Sequence, residues 1–196
     1  MEIRYLNDMR EALYDRKWAR TAPNSELYYM YRGVKKKNGL RYDITIIPPR
    51  MLGREFVKTK GHEHLDSFQE LYIVLSGQAL YLAQKSRGKI IEDVFAVKAK
   101  KGEGIVIPAG YGHVTINPAK KELKEANWLD EKCQNVYDSF IRNRGACYYY
   151  TEKGWLKNRS YKKAPKLRFE KPLKYYESSN SSRRKRIEIM ASLHGI

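Results

Sequence analysis

The chain has 196 residues, 42% of them hydrophobic, with 16 Tyr, 5 Phe and only 2 Cys, a size and composition that suit one β-rich domain and exclude a disulfide framework. Its formal net charge is +17, unevenly spread: from Lys157 to Ile196 twelve Lys and Arg face three Glu, a local +9. Met1 to Arg20 carries charges throughout where a secretory signal needs an apolar segment, and no run approaches the roughly 18 apolar residues of a membrane span, so a soluble, cytoplasmic protein is expected.

Leu6, Met9, Leu13 and Trp18 recur near helical spacing, with Asn7 or Asp8 available as a cap, and predict a short amphipathic helix over 6–18. From Glu26 the period changes to that of strands. Leu27 to Tyr31 leads to Asn38-Gly39, a turn signal, and Arg41 to Ile47 follows until Pro48-Pro49 ends it. Glu70 to Leu75, a turn at Ser76-Gly77, and Gln78 to Ala83 read as strand, turn, strand. Lys89 to Ile91, Val94 to Val97 and Gly104 to Pro108 continue the series, and Gly145 to Thr151 closes the sheet. Seven or more strands at this spacing predict a barrel or sandwich. The domain is expected to occupy 1–156, followed by a basic extension over 157–196 with an irregular Pro- and Ser-rich part and a helix from Arg184 to Leu193. A basic tail can bind phosphate backbones without selectivity, but a solvated charged face explains the same residues with less, so nucleic acid is not the favoured partner. Cys133 and Cys147 form no Cys-x-x-Cys pair and are expected to be small buried fillers.

Two short stretches stand out chemically. One runs Gly61-His62-Glu63-His64 to Glu70 and Gly77; the other runs from Gly102 through Pro108 and Gly110 to His113 and Asn117. In a strand, His62 and His64 project to one side. A carboxylate from Glu70 and a third imidazole from His113 complete a mixed nitrogen and oxygen shell suited to one divalent transition metal, Fe(II), Zn(II) or Mn(II), with open positions. A single histidine on a strand is commonly just hydrogen-bonded; four ligands at turn-punctuated spacings point to a metal.

The two stretches resemble the paired motifs of the cupin superfamily, which implies an antiparallel double-stranded β-helix, or jelly roll. One family position departs from the pattern: Phe56 stands where a glycine commonly precedes the first histidine. Thr45, Thr59-Lys60-Gly61-His62-x-His64, Glu70-x-Tyr72 and Pro108-x-Gly110-x-x-His113-x-Thr115-x-Asn117 together resemble the archaeal-type phosphoglucose isomerases, over roughly Tyr42 to Gly145. The resemblance implies His62, His64, Glu70 and His113 as metal ligands. It places Thr45, Thr59, Gly61 and Tyr72 around a sugar phosphate, with Tyr137 closing the pocket and Glu70, His113 and Tyr137 as catalytic groups. Lys60 and Arg54 are cations available to the phosphate. The chain differs from the family in a His64 to Glu70 linker shorter by one residue and in Asn135-Val136 in place of His-Asp. A metal-dependent interconversion of glucose 6-phosphate and fructose 6-phosphate by a homodimer is the expectation. The alternatives are a cupin oxygenase using the same ligands and a non-catalytic cupin that binds sugar or nucleic acid.

Overall fold

Runs of β-branched and aromatic residues, broken wherever a turn needs positive φ, fold almost entirely into strands. The computed structural model describes residues 1–65 and 68–174. In chain order it contains β1 (Glu2–Tyr5), α1 (Arg16–Thr21), β2 (Glu26–Lys37), β3 (Leu40–Ile47), β4 (Met51–Leu52), β5 (Glu55–Phe56), β6 (Glu63–His64), β7 (Glu70–Ser76), β8 (Gln78–Arg87) and β9 (Ile90–Lys100). There follow β10 (Glu103–Ile107), β11 (Gly112–Ile116), β12 (Leu123–Asp130), β13 (Asn135–Val136), α2 (Asp138–Arg142), β14 (Tyr148–Thr151), β15 (Gly154–Lys157), β16 (Arg168–Glu170) and β17 (Leu173–Lys174). The turn between β2 and β3 is Asn38-Gly39, both with φ near +50° to +75° (51° and 74°), the two-residue form whose twist matches the flanking strands.

A seven-stranded sheet in the order β1-β2-β3-β12-β7-β10-β17 faces a four-stranded sheet in the order β11-β8-β9-β16. The space between them is filled by one cluster that includes Leu27, Val74, Tyr81, Ala83, Phe95, Val97, Ile105 and Leu123. This is the expected cupin-type barrel. Every pairing in the large sheet is antiparallel, whereas β16 joins β9 in parallel, an exception to the wholly antiparallel expectation that comes from a late return of the chain.

The short N-terminal helix is present but sits later than its periodicity suggests. Residues 6–12 form two 3-10 turns, Leu6–Asp8 and Arg10–Ala12, and the helix begins at Arg16. Leu6, Met9 and Leu13 are buried as expected, since a three-residue repeat also brings them to one side; the Asp15 carboxylate, accepting from the Trp18 amide at 3.1 Å, starts α1 there.

Beyond β15 the chain wraps the outer face of the four-stranded sheet. Leu80, Leu82, Val114 and Ile116 on that face form a second cluster with Phe140, Cys147, Tyr161, Ala164 and Leu167, so β8 is buried on both sides. The division drawn after residue 156 therefore runs through packed structure. Asn158 donates to the Asn143 and Ala146 carbonyls at 2.8 and 2.9 Å, and Tyr161 donates to the Gly145 carbonyl at 3.0 Å. Lys157 reaches the Ala164 carbonyl, and Arg168 pairs with Asp93 and Glu170. The helix expected at Arg184 to Leu193 lies outside the described residues. Cys133 and Cys147 are buried and free. Tyr148 to Tyr150 form β14, where Tyr149 is buried and Tyr150 stacks on Phe56.

Candidate metal centre

The site lies where the segment entering β6 crosses β11. His62 and His113 bond to each other through both backbone pairs, His62 N to His113 O at 3.2 Å and His113 N to His62 O at 2.9 Å. Gly61 makes that crossing feasible. Its φ is +83°, and a Cβ there would come within 2.6 Å of the Phe140 ring and the Val114 methyl, so the need for glycine comes from packing against α2 and β11. β7 supplies Glu70 and, two residues on and therefore on the same face, Tyr72.

The four predicted ligands converge. One ligand atom from each of His62, His64, Glu70 and His113 lies within 4.8 Å of the other three. Glu70 Oε2 is 3.1 Å from His64 Nε2, 3.2 Å from His113 Nε2 and 4.0 Å from His62 Nε2. His64 Nδ1 is held 3.1 Å from the Phe68 carbonyl and Asn127 donates to Glu70 Oε1 at 2.6 Å, leaving His64 Nε2 and Glu70 Oε2 directed inward. Such outer contacts fix the orientation of ligands around a cation.

Two observations test whether these residues fit a cation. His62 Nε2, His64 Nε2 and Glu70 Oε2 are buried without a hydrogen-bond partner among the described residues, a costly arrangement unless something else satisfies them. Burial, aided by neighbouring imidazole, lowers His62 well below its ordinary value, and burial also lowers His113, so both rings are neutral at physiological pH. Burial would raise the Glu70 carboxyl, but its contacts with His113 and His64 outweigh that and hold it well below the usual carboxylate range. His64 differs: burial would lower it, but its contacts with Cys133 and Glu70 outweigh that and raise it to about 11. His62, His113 and Glu70 thus stand in their binding forms, and a cation must displace the proton of His64. The set fits one divalent cation.

The other predicted residues are placed unequally. The Tyr72 hydroxyl is 3.0 Å from His113 Nε2, and the Tyr137 ring lies 5.8 Å from the His62 ring. Both border the centre. Thr45 is buried on β3, opposite Met30 on one side and Glu125 on the other. The Thr59 hydroxyl accepts from the Thr115 amide at 2.9 Å, so it is engaged with β11. Lys60 lies over the Tyr137 ring at 5.1 Å, whereas Arg54 is away from the centre, paired with Asp15 over Tyr14. Asn135, which stands where the family has histidine, is in register with His64.

Five polar residues around this space were not singled out from the sequence. Asn127 orients Glu70. Arg4 lies 5.7 Å from the Tyr137 ring centre and opposite Tyr28, whose hydroxyl accepts from the Lys60 amide at 3.1 Å. Glu125 and Tyr81 face each other across the barrel. The signal for Glu125 and Asn127 was present, since they fall at the same every-second positions as the buried Leu123 and Leu129 and so share their inward face. Arg4 carried none; only the pairing of β1 with β2 brings it here.

The family model for Glucose-6-phosphate isomerase (GPI) matches residues 12–166. The glucose-6-phosphate isomerase of Pyrococcus furiosus is 30% identical over 122 residues, 59% of this chain and 62% of that protein. That of Thermococcus litoralis is 27% identical over 125 residues, 61% and 64% of the respective lengths. The chain thus spans about three-fifths of the length of these curated relatives. Among solved structures, an oxalate oxidase aligns with a TM-score of 0.43 and 18% identity over 53% of this chain and 50% of its own, and the cupin domain of Schizosaccharomyces pombe Cnp3 with a TM-score of 0.40 and 9% identity over 57% and 69%. With a family match spanning most of the chain, the barrel and its four converging ligands belong to a member of the glucose-6-phosphate isomerase (GPI) family.

Proposed function

We propose that this protein interconverts glucose 6-phosphate and fructose 6-phosphate, with one divalent cation held by His62, His64, Glu70 and His113. The observation that carries the reading is the convergence of those four side chains within a match to the isomerase family over residues 12–166. Fe(II), Zn(II) or Mn(II) bound there would supply Lewis-acid polarisation of the oxygens on C1 and C2 of the open-chain sugar.

The chain's own residues then have separate tasks. Asn127 fixes Glu70 through Oε1, and the Phe68 carbonyl fixes the His64 ring. Tyr72 puts a hydroxyl beside His113, where it can donate to a substrate oxygen or hold a proton. Tyr137 covers the His62 side and excludes water. Glu70, His113 and Tyr137 are the groups nearest the reacting carbons in this reading, with Thr45, Thr59, Gly61 and Tyr72 around the sugar phosphate. Asn135 in place of the family's histidine removes one titratable group from that shell.

We infer further that the protein is a homodimer of the cytoplasm; for the dimer, among the described residues β1 and β17 leave both edges of the large sheet without a further strand, and sedimentation of a monomer at micromolar concentration would count against it. Among the described residues no helix is long and apolar enough to cross a membrane. The reaction is tested by a coupled isomerase assay on protein of measured metal content. About one cation per chain in the wild type, near none in the His62→Ala, His113→Ala double variant, and turnover that follows the metal are the expected results. Absence of turnover in folded, metal-loaded protein rejects the reaction; equal metal in both proteins rejects the ligand assignment.

A further inference from the structure

The ligands of the metal centre are not held alike. The Phe68 carbonyl holds the His64 ring and Asn127 holds Glu70, but His113 Nδ1 is buried without a hydrogen-bond partner among the described residues. Its Nε2, beside Glu70 and Tyr72, faces the centre. The direction of this ring therefore follows the backbone that carries it. That backbone is pinned on one side by its paired bonds to His62. It enters β11 from Pro108-Ala109-Gly110-Tyr111-Gly112, in which Tyr111 alone has a polar side chain. A side-chain tether on this segment acts through Tyr111.

Such a tether is present, and it leads to a distant part of the chain. The Tyr111 hydroxyl donates to Asp93 Oδ2 on β9 at 2.6 Å, and Asp93 Oδ1 accepts from the Arg168 guanidinium on β16. The side chains also stack: the Tyr111 ring is 5.8 Å from the Phe95 ring, and Arg168 lies over Phe95 at 5.0 Å. Sheet register brings them together. His113 stands opposite Ala83, Ala83 opposite Phe95 and Phe95 opposite Arg168, so the ligand and the guanidinium end one row across four strands. The Arg168 guanidinium holds the Asp93 carboxyl below its ordinary value, against the effect of burial, and keeps it an acceptor. With Arg168 46% exposed, water screens the pair, so the tether is of modest strength.

We propose that Arg168 is a positioning residue for the cation: through Asp93 and Tyr111 it fixes the segment leading into His113 and so sets the direction of that ligand. The inference rests on the reading of His113 as a metal ligand. It makes the late return of the chain beside β9 a support of the metal centre as well as an edge of the sheet.

The test uses the full chain and Co(II), whose visible absorption reports the geometry of its ligands, in competition with a chelator. Arg168→Ala and Tyr111→Phe should each weaken Co(II) by about threefold to tenfold, less than the about 10–100-fold of a residue that touches a ligand directly, and alter its spectrum alike. Because the two residues act in series, the double variant should stay within about twofold of the weaker single one. Arg168→Lys, which keeps the cation, should recover most of the loss. Glu170→Ala removes the other partner of Arg168 and should leave affinity within about twofold of wild type, with an unchanged spectrum. Asp93→Asn reads the same contrast if Arg168→Ala does not fold. Hydrogen exchange on metal-free protein adds a readout without the cation: amides of 109–114 should exchange faster in Arg168→Ala and at the wild-type rate in Glu170→Ala. Wild-type affinity and spectrum in Arg168→Ala, or additive losses in the double variant, would overturn the positioning role alone. Wild-type protein that binds no Co(II) would overturn the ligand reading together with it, even with the exchange contrast intact.

Discussion

The inside and the outside of the four-stranded sheet both bury polar side chains, but in different states of satisfaction. On the outer face Gln84 donates to the Tyr161 hydroxyl at 3.0 Å and accepts from the Cys147 amide at 2.7 Å, Tyr161 donates to Gly145, and Asn158 serves two carbonyls while accepting from the Ser160 amide. Every polar atom of that network named here has a partner. On the inner side His62 Nε2 has none among the described residues, Glu70 Oε2 meets the His64 and His113 rings, and the Glu125 carboxyl meets the Tyr81 and Thr115 hydroxyls. A buried donor or acceptor left unpaired costs about 1–3 kcal/mol, and beside the outer network Ser139 Oγ and Asn143 Oδ1 carry that cost among the described residues, but neither of them faces a cluster of ligand atoms. The outer network is architecture, and the inner cluster of His62, His64, Glu70 and His113 is arranged to hold a cation.

Cutting the architecture should have the largest effect. A chain ending at Asn158 loses Tyr161, Ala164 and Leu167 from the outer cluster and uncovers Leu80, Leu82 and Val114, whereas one ending at Lys174 keeps them. We expect the first to be unfolded or destabilised by more than about 4 kcal/mol in urea denaturation, since several buried side chains are removed at once. Equal stability of the two truncations would show that the outer wrap does not belong to the barrel.

Next in size is the contact that orients the cation's carboxylate. Asn127→Leu removes the donor to Glu70 Oε1 and should weaken metal affinity by about 10–100-fold, measured by competition with a chelator, with the fold intact by circular dichroism. An unchanged affinity would mean that Glu70 is positioned by the histidines alone.

Tyr161→Phe should be smaller and purely structural. It strands the Gly145 carbonyl and the Gln84 amide at a cost of about 1–3 kcal/mol while metal content stays at one per chain. Loss of metal in this variant would erase the distinction between the two faces.

The subtlest test is the pH dependence of stability in metal-free protein. Glu125 is raised by burial to about 8 against an ordinary 4.5, with Tyr81 and Thr115 hydroxyls against it and Glu70 the charged neighbour that raises it further. The folded state then binds the proton that the unfolded state has released, so this residue's contribution is fully favourable below about 4.5 and is lost as pH rises toward 8. Glu125→Gln should flatten that decline, which is on the order of 1–3 kcal/mol after allowance for relaxation around the charge. A decline of the same slope in the variant would place its origin elsewhere.

Local chemistry made much of this legible beforehand. His62 and His64 share a face because strand side chains alternate, Asn38-Gly39 turns because it tolerates positive φ, and Gly61 marks a tight approach whose partner, Phe140, was beyond local reading. Arg54 looked as available as Lys60, yet Asp15 holds it away from the centre. Thr59 looked free for a ligand, yet the Thr115 amide occupies its hydroxyl.

By itself the sequence determined the strand-rich barrel, the four ligands and the family pattern, because each depends on spacing within a few residues or on residue types that have one dominant use. Tertiary structure alone decided that residues up to Leu167 complete the core, that the N-terminal strand delivers Arg4 to the pocket, and that Glu125 and Tyr81 meet across the barrel. Those contacts join positions 44 to 133 residues apart, and no local preference of the backbone records which distant strand will lie opposite.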